Sequence, residues 1–477
     1  MRTNWRLIGA GGVAVLACAL ALRLPFGAAY LWAWDSVLYA RAIDDFAVDL
    51  GRPHPPGYLL YVLVARVAAF VLGDANAGLV LVSVVSGALT CAVGFVVAAR
   101  LVGPVGGVLT AAALIVNPLL WQYSEIAYPY ATLALLAGGI GALVWTTRAR
   151  GAWPIVASAA FGIAAGFRQD LLLLLGPLWL YVVIRQRPRV ALASTAAAAV
   201  ACFVWLIPTA AESGGLVRYV GAVLAQAEGV SALGDAGLDS FAQNAQLTLV
   251  GLRWQAPWTW PLVLAGLWVV GRSTRGRLPR AALALWVGPS LAVYLLFHTG
   301  EWAYTLSLAV PLALLAGAGG AWLLRWSGRS RPVAAVLVAL LLVLNAESFI
   351  FGGGRFSLHE IARHDAILAA QIDYVRAHFA AADTVIVAQG NYQHATYYLG
   401  EYPAVYVQEI AEPQRLIGAT GRSRWVVLFG DEVRLEQRAR VTRMVLQPDV
   451  DLRVVRLRPG ERVVCNGGAQ ISLLETE

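Results

Sequence analysis

Between the apolar runs of this 477-residue chain stand a few residues able to move a proton or hold a charge: Asp35, Asp44, Asp45, Asp49, His54, Glu125, Arg168, Asp170, Arg253 and His298. A positioned carboxylate can take the proton of a hydroxyl nucleophile as a bond forms. A planar guanidinium matches the geometry of a phosphate. Asp35 stands in Trp34-Asp35-Ser36-Val37-Leu38-Tyr39-Ala40, ahead of a helix expected from about Ser36 to Val48. There it reads either as a base or as a plain N-cap. Asp44, Asp45 and Asp49 read as a solvated face. His54, in Arg52-Pro53-His54-Pro55-Pro56-Gly57-Tyr58, either caps the Pro-Pro turn or meets a ligand. Arg168 suits a phosphate, or else pairs with Asp170 at an interface. Glu125 reads as a ligand group or as a carboxylate satisfied within its loop. Arg253, beside Trp254, suits a lipid phosphate, although an interfacial aromatic anchor explains the Trp equally. His298 has the same two readings as His54.

Other chemistries are excluded by residue type. All 36 basic residues are Arg, so neither a P-loop lysine nor a Schiff-base lysine exists. Cys18, Cys91 and Cys202 fall inside apolar runs and Cys465 stands alone, which predicts no disulfide framework and no zinc site. The net charge of +8 suggests nucleic acid, but its distribution argues otherwise. Fifteen Arg occupy six short, acid-free segments: 2–6, 100, 148–150, 185–189, 272–280 and 325–331. The connections between them hold seven Arg and twelve acids. Such alternation is the positive-inside asymmetry of a membrane protein, with the Arg-rich segments in the cytoplasm.

Composition agrees, with 59% hydrophobic residues, 13% charged residues and a mean hydropathy of +0.66. Soluble domains carry about 25% charged residues. Apolar runs long enough to cross a bilayer recur from residue 7 to residue 350, and about eleven spans are expected. They lie at about 7–24, 76–99, 104–121, 129–147, 152–168, 171–184, 190–208, 257–271, 281–297, 304–324 and 332–350. Leu7–Leu24 reads as a retained anchor rather than a signal peptide, because the parity requires it. Segment 57–73 carries Arg66 at its middle, and a crossing there would invert every later basic loop. It is therefore placed as an amphipathic interfacial helix within a first outer loop of 25–75. Arg23 and Glu347 sit near span ends, where long side chains can reach the interface. Mid-membrane acids and His, the usual signature of pumps and ion-coupled transporters, are missing from the spans.

After Gly352–Gly354 the composition changes to a near-neutral tail. A helix is expected over 359–380, strands over Thr384–Ala388, Ala404–Val407 and Trp425–Phe429, and a turn at Pro459–Gly460. The domains expected are thus 1–351, transmembrane, and 352–477, a small α/β domain that eleven spans would put outside the cytoplasm.

The pattern W-D-x-x-x-Y-A followed by R-P-H-P-P-G-Y-L-L-Y resembles the GT-C superfamily of membrane glycosyltransferases. It is closest in kind to bacterial relatives of the protein O-mannosyltransferases of glycosyltransferase family 39. Trp121–Ala127, Gly166–Asp170 with Pro177 beyond it, and His298–Gly300 followed by Tyr304 and Pro311 resemble further loops of such proteins, in order and on one side. The resemblance covers about residues 20–325. It implies a polytopic α-helical GT-C-like fold with interfacial helices and a small C-terminal α/β domain. It implies transfer of a sugar from a polyprenyl-phosphate donor to a glycan, lipid or protein acceptor, at the outer face of a bacterial cytoplasmic membrane. Asp35 would be the general base and the anomeric centre would invert. His54, Glu125, Arg168, Asp170, Arg253, His298 and Tyr304 would bind substrate. Relatives often carry a second acid close behind the first; here Ser36 follows Asp35, which leaves the use of a divalent cation open. A lipid-linked sugar flippase or transporter is the alternative, and a partner-binding scaffold a third. No nucleic acid is expected as partner.

Overall fold

The computed structural model describes residues 5–148, 151–232, 238–272, 280–297, 300–407, 416–417, 424–467 and 469–475. The chain divides into two compact units, residues 1–29 with 39–361 and residues 30–38 with 362–477.

The first unit is helical. Its elements begin with α1 (Trp5–Arg23), α2 (Trp34–Asp44), α3 (Leu59–Leu72), α4 (Ala75–Leu101), α5 (Pro104–Ile115) and α6 (Pro118–Ser124). They continue with α7 (Tyr130–Thr147), α8 (Trp153–Ala164), α9 (Leu171–Val183), α10 (Pro188–Glu212), α11 (Leu216–Ala232) and α12 (Leu238–Gln255). The last are α13 (Trp260–Arg272), α14 (Arg280–Leu296), α15 (Ala309–Trp326), preceded by a 3-10 turn at Trp302–Leu308, and α16 (Arg331–Ile350).

Among the described residues six helical stretches are long and apolar enough to cross a membrane: Trp5–Phe26, Ala75–Leu101, Tyr130–Thr147, Pro188–Glu212, Trp302–Trp326 and Gly328–Ile350. The pair α5–α6, bent by 60°, makes a seventh. The shorter apolar helices α8, α9, α13 and α14 occupy the four remaining stretches expected to span. Large apolar side chains stand outward on α10 (Leu192, Val200 and Ile207) and on α16 (Val333 and Val336). Exposure on that scale is costly in water and neutral in lipid. The protein is a multi-pass membrane protein.

The α5–α6 bend has a local cause. Pro118 disfavours helix at Asn117, whose side chain instead caps α6 by accepting from the Leu120 N–H at 2.9 Å. Arg23 follows the break inward. It is fully buried, donating to the Ile115 carbonyl at 3.3 Å and lying 5.5 Å from the Trp121 ring. The sequence placed it at the interface, and that expectation is corrected: a carbonyl at a broken helix end is the better partner.

Small residues set the closest helix contacts. A Cβ on Gly266 of α13 would lie 1.9 Å from the Leu315 carbonyl oxygen of α15. Gly162 of α8 approaches α10 in the same manner, and its carbonyl accepts from Trp205 Nε1 at 2.9 Å. Arg66, anomalous in apolar α3, donates to the Ile43 carbonyl at 2.5 Å and the Ala42 carbonyl at 3.2 Å. It thereby satisfies the C-terminal carbonyls of α2. The lipid-type side chains Val67, Phe70 and Val71 of α3 are exposed.

The second unit is α/β. Helices α17 (Leu358–His378) and α18 (Tyr392–Tyr398) accompany β1 (Thr384–Ala388), β2 (Ala404–Tyr406), β3 (Leu416–Ile417), β4 (Trp425–Phe429) and β5 (Arg434–Leu435). Four strands follow: β6 (Thr442–Gln447), β7 (Val450–Arg456), β8 (Glu461–Gly467) and β9 (Gln470–Glu475). One mixed sheet runs β2-β1-β4-β7-β6, with β1 parallel to both β2 and β4; the other runs β3-β8-β9-β5. β1 is buried along its whole length, as a strand covered on both faces should be. Its two faces fall in separate apolar clusters, one around Val385, Val387 and Leu428, the other around Leu368, Ile386 and Phe429.

Candidate functional site

Arg168 is the best-defined charge in the first unit. The chain turns sharply between α8 and α9, through hydrogen bonds that end α8 and start α9, and this corner presents Gly166–Asp170. Arg168 is 3% exposed and pairs with Asp170 in bidentate fashion, Nε to Oδ1 at 3.3 Å and Nη2 to Oδ2 at 2.9 Å. The rings of Tyr130, Tyr304 and Tyr58 surround its guanidinium at 4.8, 5.3 and 5.6 Å. Both expected readings share this geometry: the Asp170 pair is present, yet the Arg is enclosed rather than reaching for an interface. A desolvated guanidinium among aromatic faces is held at one orientation, and burial works against its charge while Asp170 restores it.

The cage extends into a network of tyrosines. Tyr39 contacts Tyr58, Tyr61 and Tyr128 at 5.6, 5.3 and 6.5 Å between centroids. Tyr128 stacks on Tyr130 at 5.0 Å, and Tyr130 meets Tyr123 and Tyr304. His54 lies at the edge, its ring 5.6 Å from Tyr39 and 5.3 Å from Tyr58. The proline turn carrying it is held to the Arg168 corner by Gln169 Nε2 on the Pro56 carbonyl at 3.5 Å and by Leu60 N on the Gly166 carbonyl at 3.0 Å. His54, Arg168, Asp170 and Tyr304 are therefore brought together. Tyr58, Tyr123, Tyr130 and Glu301 belong with them and were not singled out from sequence. Glu301 accepts from Tyr123 Oη at 2.8 Å and caps the turn that carries Tyr304.

Glu125 takes a different place. It is the C-cap of α6, fully enclosed, with Oε1 accepting from Trp121 Nε1 at 2.6 Å and Oε2 without a hydrogen-bond partner. Its main-chain carbonyl accepts from Ala28 N at 2.7 Å. Burial pushes its carboxyl up to about 8, against the opposing pull of Arg23 and Trp121. At neutral pH it is thus largely a protonated acid. Arg253 is exposed in the last turn of α12, its neighbour Trp254 packing on Phe356. His298 lies outside the described residues.

Asp35 belongs to the second unit, in the segment 30–38. Helix α2 starts at Trp34, so Asp35 occupies its first turn and is not its N-cap; the helix begins two residues earlier than expected. Ser36 explains the shift: its hydroxyl accepts from the Ala33 N–H at 3.2 Å, satisfying the amide ahead of the helix from within the first turn. A first-turn carboxylate is favoured by the helix dipole. Asp35 is half-buried, and its neighbour Trp34 packs against Tyr406 and Tyr392 at 5.4 and 6.3 Å. Among the described residues no three His, Cys, Asp or Glu side chains converge as a metal centre.

Comparison with known proteins adds the following. A family model described as the protein O-mannosyl-transferase TMEM260 N-terminal domain matches residues 45–192. No curated protein matches the chain. Among solved structures, ArnT from Cupriavidus metallidurans bound to undecaprenyl phosphate is 16% identical with a TM-score of 0.56, covering 96% of this chain and 98% of that one. Its apo form gives 14% and 0.56, covering 94% and 97%. The apo oligosaccharyltransferase of Archaeoglobus fulgidus is 12% identical with a TM-score of 0.54, covering 89% of this chain and 70% of that one. The shared feature is the fold, running nearly the whole length of the chain.

Proposed function

We propose that this chain, which has the GT-C fold, is a glycosyltransferase that moves a sugar from a polyprenyl-phosphate donor to an acceptor hydroxyl at the outer face of a bacterial cytoplasmic membrane. The observation that carries the reading is the convergence of sequence-distant segments on one tyrosine-lined cage. The R-P-H-P-P-G-Y turn, the Trp121–Tyr128 loop, the Arg168 corner and the Tyr304 turn all contribute rings or charges to it. The end-to-end likeness to a structure holding undecaprenyl phosphate supports it.

In this reading the carboxylate of Asp35 takes the acceptor's proton while the acceptor oxygen attacks the anomeric carbon. The bond from that carbon to the phosphate oxygen breaks, polyprenyl phosphate leaves, and attack opposite the leaving group inverts the centre. Arg168 supplies fixed positive charge for the phosphate, with Asp170 and the tyrosine faces keeping its orientation. His54 and Tyr304 stand at the cage beside Arg168, and the resemblance adds Arg253, His298 and Glu125 as substrate-binding residues. Residues 1–351 form the transmembrane part, with α3 lying in the outer interface. Residues 352–477 form an extracytoplasmic domain.

Asp35→Asn keeps the size of the residue and its place in the first turn of α2. Membrane insertion should be unchanged, while transfer falls about 100-fold or more, the scale of a lost general base. Mass spectrometry of cell-envelope glycans, in cells carrying either form at matched membrane levels, reads the outcome. Normal glycan with well-inserted Asp35→Asn would refute Asp35 as base and return the role to another acid.

A further inference from the structure

The second unit has its own way of gripping the segment that bears Asp35. Leu31 is fully buried, and both of its main-chain polar groups are taken by side chains of α18. Its N–H donates to Tyr398 Oη at 2.8 Å, and its carbonyl lies 2.9 Å from His394 Nε2. His394 and Tyr398 are four residues apart, on one face of the helix. Together they serve Leu31 as a neighbouring strand would serve it in a sheet.

Adjacent residues are fixed in the same way. Tyr30 N donates to Asp365 Oδ1 at 3.2 Å, and the Tyr30 ring meets Tyr398 edge-on at 5.3 Å. Trp32 packs on His364 at 4.6 Å. α18 is anchored in turn, since Arg376 of α17 donates to the Tyr398 carbonyl at 2.5 Å and to Glu401 at 3.0 Å. Because a carbonyl can only accept, His394 must carry its hydrogen on Nε2. Burial and the nearby His364 hold its imidazole down at about 4, so it is neutral at ordinary pH.

We propose that His394 and Tyr398 are positioning residues for the transfer reaction, pinning the main chain at Leu31 and so fixing the first turn of α2 that carries Trp34 and Asp35. The catalytic half of this statement rests on the reading of Asp35 as the base; the structural half does not. A single misplaced ångström at a catalytic group can cost about 100-fold in rate.

The test uses the full chain, in lipid nanodiscs for exchange and donor binding and in cells for glycan yield. Tyr398→Phe removes one oxygen and keeps the ring, so it is the gentle variant; His394→Ala is the severe one, and His394→Gln restores an N–H donor of similar reach. Hydrogen exchange read by mass spectrometry should quicken about ten-fold in peptides covering 30–36 of Tyr398→Phe and His394→Ala, with peptides of β1 and β4 unchanged. Envelope glycan yield should drop about ten-fold or more, binding of undecaprenyl phosphate should stay level, and His394→Gln should recover part of both losses. Unchanged exchange at 30–36 would overturn the proposal. So would faster exchange spread through β1 and β4, which would mark both residues as ordinary core. If Asp35→Asn itself transfers normally, the base assignment fails, and the exchange data still decide whether α18 holds the segment.

Discussion

At the scale of single residues, burial decides what each ionisable group can be. Arg168 and Glu125 are both enclosed, yet one is paired and the other is not. The paired guanidinium remains a charge, whereas the unpaired carboxyl keeps its proton. Glu125 titrates near 8 in the fold and near 4.5 when unfolded. Across that interval the folded chain holds a proton that the unfolded chain has released. Stability should fall as pH rises from about 4.5 to about 8 and level off beyond. Glu125→Gln keeps the shape and the acceptor for Trp121 without the titration. Thermal unfolding in detergent from pH 5 to 9 should therefore show a declining midpoint for the native chain and a flatter one for Glu125→Gln. Parallel curves would mean that Glu125 is ionised in the fold. None of this was visible beforehand: a Glu three residues past a Trp-Gln run carries no mark of enclosure in the sequence. Arg168 was easier, because a lone Arg two residues before an Asp at a helix corner already suggests both a pair and a phosphate site.

At the scale of elements, the apolar runs told nearly everything about where helices lie and little about how they end. Every stretch expected to span is helical, and β1, β2 and β4 fall where short β-branched runs predicted them. The bend at Asn117 was missed because Pro118 looked like one more residue in a long apolar run. The tyrosine network was missed because Tyr at the ends of membrane helices is expected at every lipid interface. The second sheet was missed because β5, β8 and β9 are short or rich in polar residues, so periodicity gave no signal. Helix contacts follow small residues, and this can be measured. Gly266→Val would drive a side chain into the Leu315 carbonyl and should cost about 1–3 kcal/mol or more, seen as a lower unfolding midpoint. Gly271→Ala, on the same helix with open space around it, should be neutral or slightly stabilising. Equal effects of the two substitutions would mean that α13 and α15 do not depend on that close approach.

For the whole molecule, orientation rests on parity. With α3 in the interface, eleven crossings would put every acid-free Arg cluster in the cytoplasm and residues 352–477 outside. Reporters fused after residues 187 and 328 should report cytoplasm, and reporters after 230 and 400 should report the outside. A cytoplasmic signal at 400 would break the count. Charge alternation is what offers this orientation in the sequence, since it depends on composition and not on packing. By contrast, no local pattern could have linked residues 30–38 to the second unit. Their partners lie at sequence separations of 335, 363 and 367 residues.

Those separations have a consequence for biosynthesis. The segment holding Tyr30 and Leu31 leaves the ribosome among the first, while Asp365, His394 and Tyr398 leave more than three hundred residues later. At about 5–20 residues per second, the early segment waits roughly twenty to seventy seconds for its partners. Through that interval its main-chain groups have no native acceptor or donor, and the helix start bearing Asp35 is unsecured. A chain whose translation stops after Tyr304 but before Asp365 holds every residue of the tyrosine cage but never fastens this segment. Completion of the final domain is thereby written into the geometry of one of the earliest loops.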